Sequence, residues 1–178
     1  MKKRNLPLGQ VYRLLEPGPV VLVTTAHRGA TDIMTMSWHM MMEFEPPLVG
    51  CVISGRNHSF ELLRRSRECV INIPAAELAA QVVGIGNCSG RTVDKFARFG
   101  LTALPAAQVG APLIDEWYAN LECRIADTRM VNAYNMFVLE VVQAWMATPR
   151  RDWHTLHHRG MGEFMTAGPS LKLPSRMK

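Results

Sequence analysis

No apolar stretch in this 178-residue chain approaches the roughly 20 residues that a membrane-crossing helix needs; runs such as Val20 to Val23 are far too short. The basic start, Met1 to Arg4, lacks the apolar segment of a secretion signal, because Asn5, Pro7, Gly9 and Gln10 interrupt it at once. A soluble, cytoplasmic protein is expected. Close cysteine pairs are also missing. Residues 51, 69, 88 and 123 are separated by 18, 19 and 35 positions, which excludes the paired spacings of zinc and dithiol motifs. Cys51, Cys69 and Cys123 sit among Val, Ile and Leu and read as reduced, apolar side chains, whereas Cys88 lies in a glycine-rich turn. There is no dinucleotide glycine fingerprint, no Walker phosphate loop, no internal repeat and no Lys/Arg run of five. With only 20% charged residues, the net charge of +5 favours a small anionic partner such as a phosphate without calling for nucleic acid.

What is present suits one domain over residues 1–178, since 48% apolar content at this length can bury a sizeable core. Val20 to Thr25 is a β-branched strand ending at the turn Arg28-Gly29. Ile33 to Phe44 reads as a strand passing into irregular backbone before Pro46-Pro47, and Leu48 to Ser54 and Cys69 to Ile73 are further strands. Between them Ser59 is placed to cap a helix that buries Phe60 and Leu63. Glu77 to Ile85 has helical spacing until Gly84, Gly86 and Gly90 interrupt it, and Asp94 to Phe99 forms a short helix closed by Gly100. Ala119 to Ile125 and Met136 to Trp145 return to strand, and the basic, Pro-interrupted end from Leu171 reads as an arm or tail. Strands without a regular strand-helix repeat predict a closed or half-open antiparallel sheet.

Four segments are more polar or glycine-rich than a core requires. In Asp32 to His39, the hydroxyls of Thr35 and Ser37 alternate with Met34, Met36 and Trp38, so a strand would put both hydroxyls on one face, suited to a flat heterocycle or simply to water. Ser54 to Ser59 spans a strand-helix junction, where unpaired backbone N–H groups, two serines and Arg56 would suit an anion. Gly86 to Phe96 combines close backbone approach with Arg91 and Lys95 one helical turn apart. His154, His157 and His158 invite a metal, but adjacent residues on a strand point apart, and neither Asp152 nor Glu163 completes a ligand set, so no metal is expected.

Taken in order, these pieces resemble the flavin reductase and flavoredoxin group of FMN-binding split barrels. The matching segments are Met34-Thr35-Met36-Ser37-Trp38, Phe44-Glu45-Pro46-Pro47-Leu48-Val49, Asn57-His58-Ser59-Phe60, and Cys69 to Pro74. Gly86 to Arg91 with Asp94-Lys95-Phe96, Leu121-Glu122-Cys123, and Phe137 to Val141 complete the set, which runs from about Pro19 to Gly168. The resemblance implies a mainly β, Greek-key split barrel with short peripheral helices. It implies FMN as cofactor, with the ring beside Thr35, Met36, Ser37 and Trp38, and the phosphate held by Ser54, Asn57, His58, Ser59, Ser89, Gly90 and Arg91. Lys95 would reach the flavin and Phe164 would pack by the ring.

It also implies a homodimer and electron transfer from NAD(P)H to flavin. Many NAD(P)H-using members of the group carry Gly-Asp-His shortly before the last long strand; this chain has Asn132-Ala133-Tyr134, which makes Tyr134 the position to meet a nicotinamide. Without that histidine, a flavoredoxin-like carrier fed by a redox protein competes with a reductase. A barrel that binds another ligand or a partner is the third reading.

Overall fold

The computed structural model describes residues 2–148 and 153–175. It opens with β1 (Lys3–Asn5) and a short helix α1 (Tyr12–Leu15), followed by β2 (Val21–His27), β3 (Ala30–Met36), β4 (His39–Phe44) and β5 (Pro47–Val52). Helix α2 (His58–Ser66) leads to β6 (Glu68–Ile73), α3 (Ala79–Gly86) and α4 (Lys95–Phe99). Short strands β7 (Ala103–Leu104) and β8 (Leu113–Ile114) pair with each other before the long β9 (Ala119–Asp127) and β10 (Met136–Ala147), which flank α5 (Val131–Tyr134). A hairpin of β11 (Leu156–Gly160) and β12 (Glu163–Thr166) follows.

The main sheet is antiparallel throughout, in the order β3-β2-β6-β9-β10-β5-β4, with β1 paired to the far end of β10. Laid flat, strands about 4.8 Å apart would put β3 and β4 roughly 29 Å from one another. Only Ser37 and Trp38 join them. That link reaches at most about 11 Å even when fully extended, so the sheet has to roll and bring its two edges together. The result is a barrel split between β3 and β4, as the resemblance implies.

Alternation along β2 explains the two layers of core. Val21 and Val23 face the barrel interior with Met36, Cys51, Ile71, Leu121, Phe137 and Leu139. Leu22 points outward and is covered, with Ile33, by Val82 and Ile85 of α3, Trp117 and Leu156. Hidden on both faces, β2 reads as a continuous apolar run.

Three local expectations are corrected. Residues 39–44 form strand β4, because the turn at Glu45-Pro46 lets them pair with β5 from His39↔Cys51 to Phe44↔Pro47. Ser59 does not cap α2: Asn57 holds that position without a side-chain bond, and Ser59 is buried inside the first turn. Gly84 and Gly86 lie within α3, where a Cβ at Gly84 would run into the Phe99 ring, so glycine serves helix packing there. The Asp94 cap is observed, with its Oδ1 accepting from Ala97 N at 3.1 Å, and Gly100 closes α4 at φ +61°. Residues 171–175 are exposed and have no regular structure.

Buried polar groups tie the crossover before β9 to the barrel wall. Asn120 Nδ2 donates to the Ile114 carbonyl at 3.1 Å, and Thr24 Oγ1 donates to the Pro112 carbonyl at 2.6 Å. The buried Glu122 carboxylate accepts from Ala107 N, Gln108 N and Trp145 Nε1. Three donors satisfy a charge that would otherwise be costly to bury.

Candidate functional site

The split creates a groove where the chain crosses from one edge strand to the other. A cavity of about 440 Å³ there is lined by Met34 through Trp38, by Val52, Ser54, Arg56 and Asn57, and by Asn135. Thr35, Met36, Ser37, Trp38, Ser54 and Asn57, selected from sequence, therefore meet at one place. Its lining has two kinds of chemistry. Polar groups come from the α2 N-terminus, whose first-turn N–H groups have no bond to the Asn57 side chain, and from Ser54 and Arg56. Apolar surface comes from Val52 and from the Trp38 indole, which is 71% exposed, while Met34 and Met36 reach the wall from the barrel core.

Thr35 and Ser37 also border a second cavity of about 260 Å³, between α3 and the β11–β12 hairpin, lined by Gly86, Asn87, His158 and Phe164 among others. Phe164 stands there with its ring centroid 5.1 Å from that of His158. Thr35 Oγ1 is already engaged, donating to the Val82 carbonyl at 2.7 Å, whereas Ser37 lies just past the end of β3.

The remaining residues fall elsewhere. His58, Gly90 and Arg91 line a separate cavity of about 700 Å³ along the 90–94 segment. Ser89 Oγ accepts from Arg91 N at 3.3 Å, organising that loop. Arg91 itself pairs with Glu61 at 3.3 Å, and Glu61 also pairs with Arg65 at 2.8 Å. Ser59 and Lys95 are buried and turn toward Asp32: Ser59 Oγ donates to Oδ2 at 2.7 Å, and Lys95 Nζ lies 3.2 Å from Oδ1. Tyr134 is 65% exposed at the end of α5, one residue before the groove-lining Asn135.

A family model for the flavin reductase like domain matches residues 13–164. The chain belongs to this family. Among its relatives, the uncharacterised protein YddH of Escherichia coli K12 is 32% identical, covering 92% of this chain and 94% of its own. An FMN-binding domain of a flavin reductases-like enzyme from Shewanella baltica OS155 superposes with a TM-score of 0.90 at 24% identity, covering 97% of this chain and 98% of its own. Flavoredoxin of Desulfovibrio vulgaris (Miyazaki F) superposes at 0.79 with 22% identity, covering 88% and 90%. These likenesses carry the split-barrel fold.

Within this flavin reductase-like barrel, sequence reasoning gave no role to Asp32 or Asn135. A lone acid in β3, just before Ile33 and Met34, was the available signal for Asp32. Asn135 has a positive φ of 55°, and its carbonyl accepts from Ile53 N at 3.0 Å; nothing in its local sequence marks that contact. Burial holds the His39 imidazole below the ordinary histidine pKa, opposed by the hydrogen bond at 2.7 Å to the Pro19 carbonyl. A carbonyl can only accept, so Nε2 carries the proton. Among the described residues no three His, Cys, Asp or Glu side chains gather to hold a metal ion; His154 and His157 bond to the carbonyls of Ala167 and Gly18, and Asp152 lies outside the described residues. Cys69 is held well above the usual thiol pKa by the contact with Cys123 and then by burial, and burial raises Cys51.

Proposed function

We propose that this protein binds FMN in the groove at the split and acts as a flavin reductase, passing electrons from NAD(P)H to flavin. The mixed polar and apolar lining of the groove carries the reading. Backbone N–H groups at the start of α2, the Ser54 hydroxyl and the Arg56 guanidinium suit a phosphate, while the exposed Trp38 indole and Val52, backed by Met34 and Met36 of the core, suit a flat apolar ring. No ion pair of Arg56 is found among the described residues, which leaves its charge available. Bound FMN would supply hydride and electron transfer; the chain supplies binding, orientation and charge. Titration with FMN tests this: saturable quenching of flavin fluorescence at a stoichiometric ratio is expected, and no saturable change with FMN or FAD removes the reading.

A flavoredoxin-like carrier without direct NAD(P)H oxidation is the second reading, favoured by Tyr134. Its phenol can stack on or hydrogen-bond a nicotinamide but cannot carry the positive charge of a protonated histidine. Stopped-flow reduction by NADH and NADPH, compared with Tyr134→His, separates the two. Slow reduction that the substitution accelerates supports a carrier fed by a redox protein; rapid reduction unaffected by it supports the reductase.

The same reading includes a homodimer. Met40, Met42 and Phe44 leave about half their surface exposed on β4, next to Trp38. Contiguous apolar surface of this kind is unusual on a monomer and is suited to cover by a second copy. The reading also treats the whole chain as one domain in the cytoplasm. No described helix is long and apolar enough to cross a membrane, and Cys69 and Cys123 face each other across β6 and β9 as free thiols.

A further inference from the structure

Three residues assigned to the flavin by resemblance meet at a side chain that has no role in that assignment. Asp32, on β3, is 3% exposed. Ser59 in the first turn of α2 donates to its Oδ2 at 2.7 Å. Lys95, the first residue of α4, lies 3.2 Å from Oδ1, an ionic contact outside hydrogen-bond alignment, and donates to the Ile33 carbonyl at 2.5 Å. A Cβ at Gly90 would collide with the same carboxylate, so the 89–91 loop packs directly on it.

We propose that Asp32 is a positioning residue that sets the charge behind the phosphate end of the site. It holds α2, the 89–91 loop and α4 in register and cancels the Lys95 ammonium, leaving Arg56 as the cation that meets the phosphate. The inference rests on the FMN reading above. With Glu61 beside Arg91 and Asp32 beside Lys95, each of those cations has its own counter-ion. An amide at position 32 would still accept from Ser59 and would occupy nearly the same volume, so the carboxylate differs from it chiefly in charge. That charge matters because a phosphate monoester is close to dianionic at neutral pH, and field effects persist where burial limits screening.

The test uses the full-length protein, with Asp32→Asn, Lys95→Gln and the double variant titrated with FMN and with riboflavin, which lacks the phosphate. Asp32→Asn frees the Lys95 charge and is expected to tighten FMN relative to riboflavin by roughly tenfold. Lys95→Gln strands the carboxylate and shifts the ratio the other way by a similar factor; the double variant returns within about threefold of wild type. Where Lys95→Gln does not fold, Asp32→Asn and the double variant still decide. An Asp32→Asn protein whose FMN-to-riboflavin ratio is unchanged, or falls, overturns the proposal while leaving wild-type FMN binding standing. Wild-type protein that binds no FMN overturns both.

Discussion

The two edges of the split are built differently. β3 is finished within the chain: α3, Trp117 and Leu156 cover its outer face, and Lys95 of α4 and Ser59 of α2 anchor its one buried acid. β4 is left open, with Met40, Met42 and Phe44 half exposed and Gly50 of β5 beneath the tips of Met40, Met42 and Met136. A Cβ at Gly50 would sit 2.9 Å from Met42 Sδ, so glycine lets these flexible side chains lie flat on the sheet. The first edge is thus packed and paired from within the chain, whereas the second leaves adaptable apolar surface at the other lip of the groove.

Truncation on each edge gives the largest contrast. Ile33→Ala removes a fully buried side chain and should cost about 2–5 kcal/mol in urea unfolding, while Met42→Ala at protein concentrations low enough to keep the chain monomeric should stay within about 0.5 kcal/mol. Equal losses would mean that β4 is as fully packed as β3.

Charge on the open edge comes next. The paired change Met40→Asp with Met42→Asp should weaken self-association at least about a hundredfold, roughly 2.7 kcal/mol, seen as a dimer becoming monomer in sedimentation at low micromolar concentration. Wild-type protein sedimenting only as monomer would deny the open edge its partner.

Cations near the groove offer a smaller comparison. Arg56→Gln should weaken FMN by about tenfold, near 1.4 kcal/mol, and riboflavin by less than twofold. Arg91→Gln should cost FMN less, because Glu61 already shares that guanidinium. The reverse order, read by fluorescence titration, would move the phosphate to the 89–91 loop.

Smallest is the effect of pH at His39, where β4 begins. Its folded pKa is lowered, so above the unfolded value near 6.5 both states are neutral and the residue adds no pH dependence. Below it the unfolded chain binds the proton first, and stability falls by up to about 1.4 kcal/mol per pH unit until the folded pKa is reached. Melting temperatures of wild type and His39→Gln at pH 7.5 and 5.5 should diverge in slope; identical slopes would show that His39 protonates as easily folded as unfolded.

Much of the fold was legible because the strong local signals are short-range. The β-branched run of β2, the Asp94 cap and the Gly100 stop act within a few residues and agree with the fold around them. β4 was misread as partly irregular because a Met-rich stretch carries weak strand preference, and its pairing with β5 supplies the order. Arg56, Ser54 and the Thr35 to Trp38 hydroxyl and thioether pattern could be found from residue type alone. Asn135 could not, since it reaches the groove from the far side of the chain.

By itself the sequence determined where β2, β5, β6, β9 and β10 fall, that no dithiol or Walker-type chemistry is available, and which segments carry groups suited to a phosphate and a flat ring. Tertiary structure alone decided how those groups are used. A two-residue link between β3 and β4 forces the sheet to roll and makes the groove, because the chain cannot span a flat sheet. It also decided that Lys95 and Ser59 face Asp32 while Arg56 stays unpaired among the described residues. Charges at positions 32 and 95 pair only when folding brings β3 and α4 together, and a Coulomb contact depends on distance in space rather than along the chain.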